Sequence, residues 1–193
     1  KLNRLVQEAT KDFAEYNYAS AKTRVEAFFW EVFTDNYMEM VKTRLYDFPD
    51  GSGERDSARY TLYNVLFTLI KLIAPIMPFI TEEIYQLVFK RDGDTTSIHT
   101  SQWPTVNNEL ISDEADAAGD MLITIATAVR RYKSEKKIPM GSQLENIKIA
   151  ATREDNAGIL KSCLIDIRSV TRAKQIDIDI AKLDTAVAVT EIS

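Results

Sequence analysis

Between Ser20 and Leu45 the apolar and aromatic residues Val25, Phe28, Phe29, Val32, Phe33, Tyr37, Met40, Val41 and Leu45 return every three or four positions. That is the repeat of one helical face, and it predicts a long core helix around which other helices pack. Asp35, Asn36, Glu39 and Lys42 ride within the stretch and need partners wherever neighbours cover them. An ordinary bundle helix with satisfied polar groups meets every one of these requirements.

The flanking segments supply the neighbours. Leu2, Leu5, Val6, Ala9 and Phe13 mark a first helix, closed by a turn at Tyr16, Asn17 and Tyr18 that is short enough to make the first two helices antiparallel. Pro49 to Gly53 is a turn-rich break. A third helix carries Leu62, Leu66, Leu69, Ile70 and Ile73 and must stop or kink at Pro75 and Pro78. Thr81 is expected to cap a short helix running to about Phe89, with Glu82 and Glu83 in its positive first turn. From Lys90 to Ile111 the pattern lapses, apart from an extended piece at Ile98 to Trp103 closed by Pro104. Ser112 caps a fourth long helix whose stripe is Ala118, Met121, Leu122, Ile125, Val129 and Tyr132. After Pro139 and Gly141 the grammar changes: strand-like 147–151, a helical stretch from Glu154 to about Arg168, then strand-like 171–178 and 185–192. The expected fold is mainly α, an up-down helical bundle over 1–141 followed by a small β-α-β-β appendage of α+β type over 142–193.

With 193 residues the chain suits one domain or a domain with a small appendage. Its longest apolar run, Val65 to Ile80, is interrupted by Thr68, Lys71, Pro75 and Pro78, so no membrane span is expected. The single cysteine, Cys163, and the lack of a signal peptide suit a reducing compartment, with the cytoplasm expected. The chain opens at Lys1, already in helical register and without methionine, which is the expectation for a piece of a longer protein.

No catalytic residue and no metal site is expected. His99 and Cys163 stand far apart without metal-ligand spacing, and no glycine-rich phosphate loop is present. Glu82 and Glu83 point in different directions on a helix and complement its dipole. His99 reads as a structural or surface residue.

The formal charge of −5 offers no global attraction to nucleic acid, so local patches decide. The fourth helix ends in Arg130, Arg131, Lys133, Lys136 and Lys137. On a helix Arg130, Lys133 and Lys137 share one strip, while Arg131 points away. A solvated helix end with dipole-complementing cations accounts for this run by itself. In an up-down bundle, however, the start of helix one and the ends of helices two and four share a pole, bringing Asn3, Arg4, Gln7, Lys42 and Arg44 toward Arg130, Arg131, Lys133 and Lys137. Amides for base edges and cations for phosphates are what an RNA reader needs. An acidic protein with one basic, amide-bearing pole is a plausible reader; a helical protein-interaction module meeting an acidic partner is the alternative.

Three blocks give the chain a family likeness: Phe29-Trp30-Glu31-Val32-Phe33-Thr34-Asp35-Asn36-Tyr37-Met38-Glu39-Met40-Val41-Lys42, then Leu72-Ile73-Ala74-Pro75-Ile76-Met77-Pro78-Phe79-Ile80-Thr81-Glu82-Glu83-Ile84-Tyr85, then Ser97-Ile98-His99-Thr100-Ser101-Gln102-Trp103-Pro104. In this order they resemble the anticodon-binding domain of class I aminoacyl-tRNA synthetases of the valine, isoleucine and leucine group. The third block and Val129 to Lys137 look most like the valine enzymes, of archaeal type; the isoleucine and leucine enzymes are the runners-up. The resemblance covers Lys1 to about Gly141 well and the appendage weakly. It implies a helical bundle that receives the anticodon arm of tRNA, here valine tRNA. It also implies that ATP with magnesium, amino-acid selection and editing belong to catalytic and editing domains of a longer chain, because the His-Ile-Gly-His-like and Lys-Met-Ser-Lys-Ser-like signatures are missing. In related synthetases the anticodon is read near the start of the first bundle helix and the end of the second. That maps by position onto Asn3, Arg4, Gln7, Lys42 and Arg44. Phe29, Trp30, Tyr37, Pro75, Pro78 and Phe79 are expected to pack and to break helices rather than to touch bases.

Overall fold

Helix α1 spans Leu2–Ala14 and buries Leu5, Val6 and Ala9 in a computed structural model that describes residues 1–90 and 96–193. Its end is closed by Tyr16 in the left-handed conformation (φ 61°), with Asn17 N–H bonded back to Asp12 O at 2.8 Å and Tyr16 N–H to Phe13 O at 3.2 Å. These two bonds satisfy carbonyls that a helix end leaves over. The chain reverses into α2, Tyr18–Ala27, as expected from the short turn. Arg24 of α2 returns to α1, reaching Asp12 at 2.8 Å and Glu8 at 2.9 Å, so the two helices run antiparallel.

The expected single helix from Ser20 to Leu45 is interrupted. Phe28–Tyr37 is π-helical, followed by the short α3, Met38–Met40, and α4, Lys42–Tyr46. The residues that must face the interior explain the change: Val25, Phe33 and Val41 are buried, and with Phe29 and Tyr37 they recur every four positions. In an α-helix every fourth residue drifts by about 40°. A wider turn rotates less per residue and offsets that drift.

A turn at Pro49–Ser52, with Gly51 at φ +82°, leads into α5, Gly53–Ile73. Helix α6, Pro78–Ile84, begins with Pro78 at its first position, where the missing N–H costs nothing, and continues into π-helical Tyr85–Phe89. Thr81, expected as the cap, lies inside this helix instead; it is buried and its Oγ1 donates to Met77 O at 2.9 Å. The expected extended piece at Ile98 to Trp103 is also different: Ile98–Thr100 is a 3₁₀ turn that Ser97 caps by accepting from His99 N–H. Residues 91–95, within the expected lapse, lie outside the described residues.

Helix α7, Asp113–Glu135, starts at Ser112, whose Oγ accepts from Ala115 N–H at 3.1 Å as the sequence suggests. Then come β1 (Leu144–Ala151), α8 (Glu154–Ser162), α9 (Leu164–Thr171), β2 (Ala173–Ile180) and β3 (Val187–Ile192). The sheet order is β2-β1-β3, with β1 parallel to β2 and antiparallel to β3. The fold is therefore mainly α with a small β-α-β-β element, in line with the sequence.

The chain divides into two compact units that do not follow the 141/142 boundary. One comprises residues 1–35 and 56–111, the other 36–55 and 112–193. In the first, Ile70, Ala74, Tyr85, Phe89 and Ile98 form a core cluster. In the second, Met40 joins Met121, Leu122, Ile125 and Val129 of α7 and the inner residues of the sheet and of α8 and α9, among them Ile147, Leu160 and Ile167. The α+β element thus shares one core with α7.

Candidate nucleic-acid interface

In the first unit the amide-bearing start of α1 is held by a strap. Trp103 Nε1 donates to Thr10 Oγ1 at 2.9 Å, and its ring meets Phe13 edge-on at 5.0 Å. Four residues on, Asn107 N–H donates to Asn3 Oδ1 at 2.8 Å. The segment therefore runs antiparallel to α1 and fixes the orientation of the Asn3 amide, whose Nδ2 donor keeps no bond to a described residue. Gln7, one turn further along, is exposed, and Arg4 is half-buried with partners of its own. The strap was not visible in the sequence; the Trp103-Pro104 pair was its only trace.

A second clamp holds the loop before the strap. Glu82 Oε2 accepts from Ser97 Oγ at 2.7 Å and from Ile98 N–H at 3.0 Å, while Gln86 donates to Oε1. Those bonds, from Ser97 first and then Gln86, hold the Glu82 carboxyl below the usual carboxylate range. Glu82 is thus a loop clamp and not the first-turn acid expected from the sequence, because α6 begins at Pro78 and holds no acid in its first turn. His99 is exposed, with its ring against Pro78 O at 3.1 Å.

In the second unit the expected cations sit in three different settings. Lys42 is exposed and paired with Glu39 at 2.7 Å. Arg44 is turned inward onto Asp166 of α9, at 2.9 and 3.0 Å. Burial pushes the Asp166 carboxyl up, and the Arg44 charge opposes it. Arg130 donates to the buried Asn36 at 2.8 Å, and Arg131 lies exposed on Glu135 at 2.8 Å.

Lys133, expected on a solvent-facing strip, is instead 2% exposed. Its ammonium donates to three carbonyls, Ser142 O at 2.8 Å, Met140 O at 3.1 Å and Thr171 O at 3.2 Å. Burial, and then the Arg172 charge, push this lysine below its ordinary range. Three acceptors for three ammonium donors nonetheless suit the charged form. The strip read from α7 fails at Lys133 because the α+β element covers it. Lys137 escapes the helix: it is exposed and left-handed (φ 56°), closing α7 with Ile138 N–H bonded to Lys133 O at 2.8 Å.

Two of these cations, Arg44 and Lys133, are held by α9, which periodicity did not single out. It packs against α3, α4 and α7. Ser169 Oγ donates to Glu39 O at 2.9 Å and accepts from Thr43 N–H at 3.2 Å. Helix α9 thus touches both the segment that bears Lys42 and Arg44 and helix α7, Arg44 meeting it at Asp166 and Lys133 at Thr171.

The family described as the anticodon-binding domain of tRNA ligase matches residues 1–149. The chain is 39% identical over 177 residues to the valine–tRNA ligase of Methanosarcina mazei, covering 92% of this chain and 20% of that protein. It is 42% identical over 160 residues to the valine–tRNA ligase of Methanosarcina acetivorans, covering 82% and 18%. Against that of Methanopyrus kandleri it is 35% identical over 184 residues, covering 94% and 20%. The chain spans about a fifth of the length of these curated relatives. With this family matched over α1 to α7 and into β1, the chain belongs to the anticodon-binding domains of tRNA ligases.

Proposed function

We propose that this chain binds the anticodon arm of valine tRNA as part of a longer valine–tRNA ligase, which joins valine to its tRNA with ATP and magnesium in the cytoplasm. The observation that carries the reading is the family match over 1–149, together with valine–tRNA ligase relatives aligned along most of the chain. Among the described residues no helix is long and apolar enough to cross a membrane. No group of three or more His, Cys, Asp or Glu side chains among them is placed to hold a metal ion. Catalysis and editing belong to other domains of the longer protein.

Within this reading, base discrimination falls to Asn3 and Gln7. An amide both donates to and accepts from a base edge, and the bond from Asn107 uses the Asn3 oxygen without using its Nδ2 donor. Arg4, Lys42, Arg130, Arg131 and Lys137 serve the phosphates, while Arg44 and Lys133 hold the scaffold of the second unit.

The test compares tRNAs that differ only in the anticodon. Asn3→Asp keeps the acceptor that the strap needs and removes the donor. Combined with Gln7→Ala it should lower the preference for the valine anticodon by about 1–3 kcal/mol, taking the DNA magnitude as the guide. An unchanged preference in this double variant would place the reading surface elsewhere.

A further inference from the structure

Helices α7 and α9 end beside one another, and each ends with a basic residue in the left-handed conformation: Lys137 at φ 56° and Arg172 at φ 59°. The two ends are tied together. Lys133 Nζ bonds Thr171 O at the end of α9 and Met140 O and Ser142 O in the turn after α7, and Arg172 Nη1 donates to Gly141 O of the same turn at 3.3 Å. Lys136 and Lys137 open that turn, and Arg168 lies one helical turn before Arg172, whose N–H bonds Arg168 O at 2.9 Å. Lys136, Lys137, Arg168 and Arg172 are all exposed.

The corner gathers its cations at two tied helix ends of an acidic chain. Several exposed cations elsewhere are matched to acids, Lys22 to Glu26, Arg24 to Glu8, Arg131 to Glu135, Lys148 to Glu191 and Lys174 to Glu145, whereas Lys161 and Lys182 stand singly without one among the described residues. Lys136, Lys137 and Arg168 have no acid partner among the described residues, although the chain holds 29 acids against 24 lysines and arginines.

We infer that Lys136, Lys137, Arg168 and Arg172 form an RNA-phosphate contact surface, so that the α+β element binds the nucleic acid jointly with the end of α7. The inference rests on the tRNA reading above and extends it to residues of the α+β element. The four side chains are cations and bring no amide or aromatic ring of their own, so they hold the backbone and leave sequence unread. Lys133 sits beneath it as a strut that fixes the two helix ends in register.

Salt-dependent tRNA binding by the full protein tests this. Arg168→Gln with Arg172→Asn, the second chosen because asparagine tolerates the left-handed conformation, should weaken valine tRNA and a non-cognate tRNA alike. Affinity should fall on the order of tenfold, and the log-log salt slope should flatten by about 1.5 for two lost contacts. Arg172→Lys should retain most of the binding. Phenylglyoxal labelling of the unaltered protein supplies a readout independent of variant folding: tRNA should protect Arg168 and Arg172 from modification. Unchanged affinity and slope, or arginines equally reactive with and without bound tRNA, overturn the inference while leaving the tRNA reading intact. No tRNA binding by the unaltered protein overturns both. Protection of the arginines by polyglutamate but not by tRNA assigns the corner to an acidic protein partner and overturns the RNA inference.

Discussion

Lys133 and Thr171 meet across 38 residues of chain, ammonium to carbonyl oxygen at 3.2 Å, and the bond joins the end of α7 to the end of α9. Replacing Lys133 with methionine keeps the stem volume and strands three carbonyls. We expect a loss of about 2–3 kcal/mol in urea unfolding, since each buried acceptor left without a donor is costly. A loss under about 0.5 kcal/mol would mean that water serves those carbonyls equally well.

The Arg44–Asp166 pair is largely covered, with side chains 19% and 18% exposed. Arg44→Ala should cost about 3 kcal/mol by leaving a buried carboxylate without its counter-charge, and Arg44→Met with Asp166→Leu should recover most of it. Burial already raises the Asp166 carboxyl, and removing the arginine raises it further. The deficit of Arg44→Ala relative to the parent should therefore shrink as pH falls and Asp166 takes up a proton. A deficit that stays constant down to acid pH would contradict this.

Acid should open the loop that Glu82 clamps. Its carboxyl titrates below the usual carboxylate range in the folded protein, so the stabilisation is complete above that range and is lost as pH falls through the lowered value. The observable is the protection factor of the Ile98 amide, which donates to Glu82 at 3.0 Å. It should drop on acidification in the parent and stay low at every pH in Glu82→Gln. A flat profile in the parent would remove Glu82 as the clamp.

Trp103→Phe should cost about 1 kcal/mol, the worth of the lost hydrogen bond to Thr10, while retaining the ring contact with Phe13. Trp103→Ala should cost about 3 kcal/mol. Because the strap also carries Asn107, the alanine variant should blunt anticodon preference without Trp103 touching RNA. Full preference in a folded Trp103→Ala protein would uncouple the strap from Asn3.

Features set by neighbours in sequence were legible. The apolar period of α1, the Ser112 cap and the break at Pro75 needed only local rules. Pro78 displaced Thr81 as the start of α6 because an N1 proline suits that position better than a threonine three residues later. What stayed hidden depends on residues far apart. Lys133 reads as a surface cation until Thr171 covers it, and Asn3 reads as a free amide until Asn107 binds it. The π-helical stretch Phe28–Tyr37 was concealed because a spacing of four fits a helical stripe in either winding.

The second unit is assembled from 36–55 and 112–193, with Met40 in the same core as β1 and α9. This gives its synthesis a fixed order. Residues 36–55 leave the ribosome before α7 exists, and at about 5–20 residues per second they wait several seconds for the partners that cover Met40. During that interval Met40 lacks its later core neighbours, and Arg44 has no Asp166. The cohesion of this unit is therefore gained only when β2 and β3 arrive, and a nascent chain halted near Ile111 would carry the residues of the first unit together with an orphaned segment, 36–55, of the second.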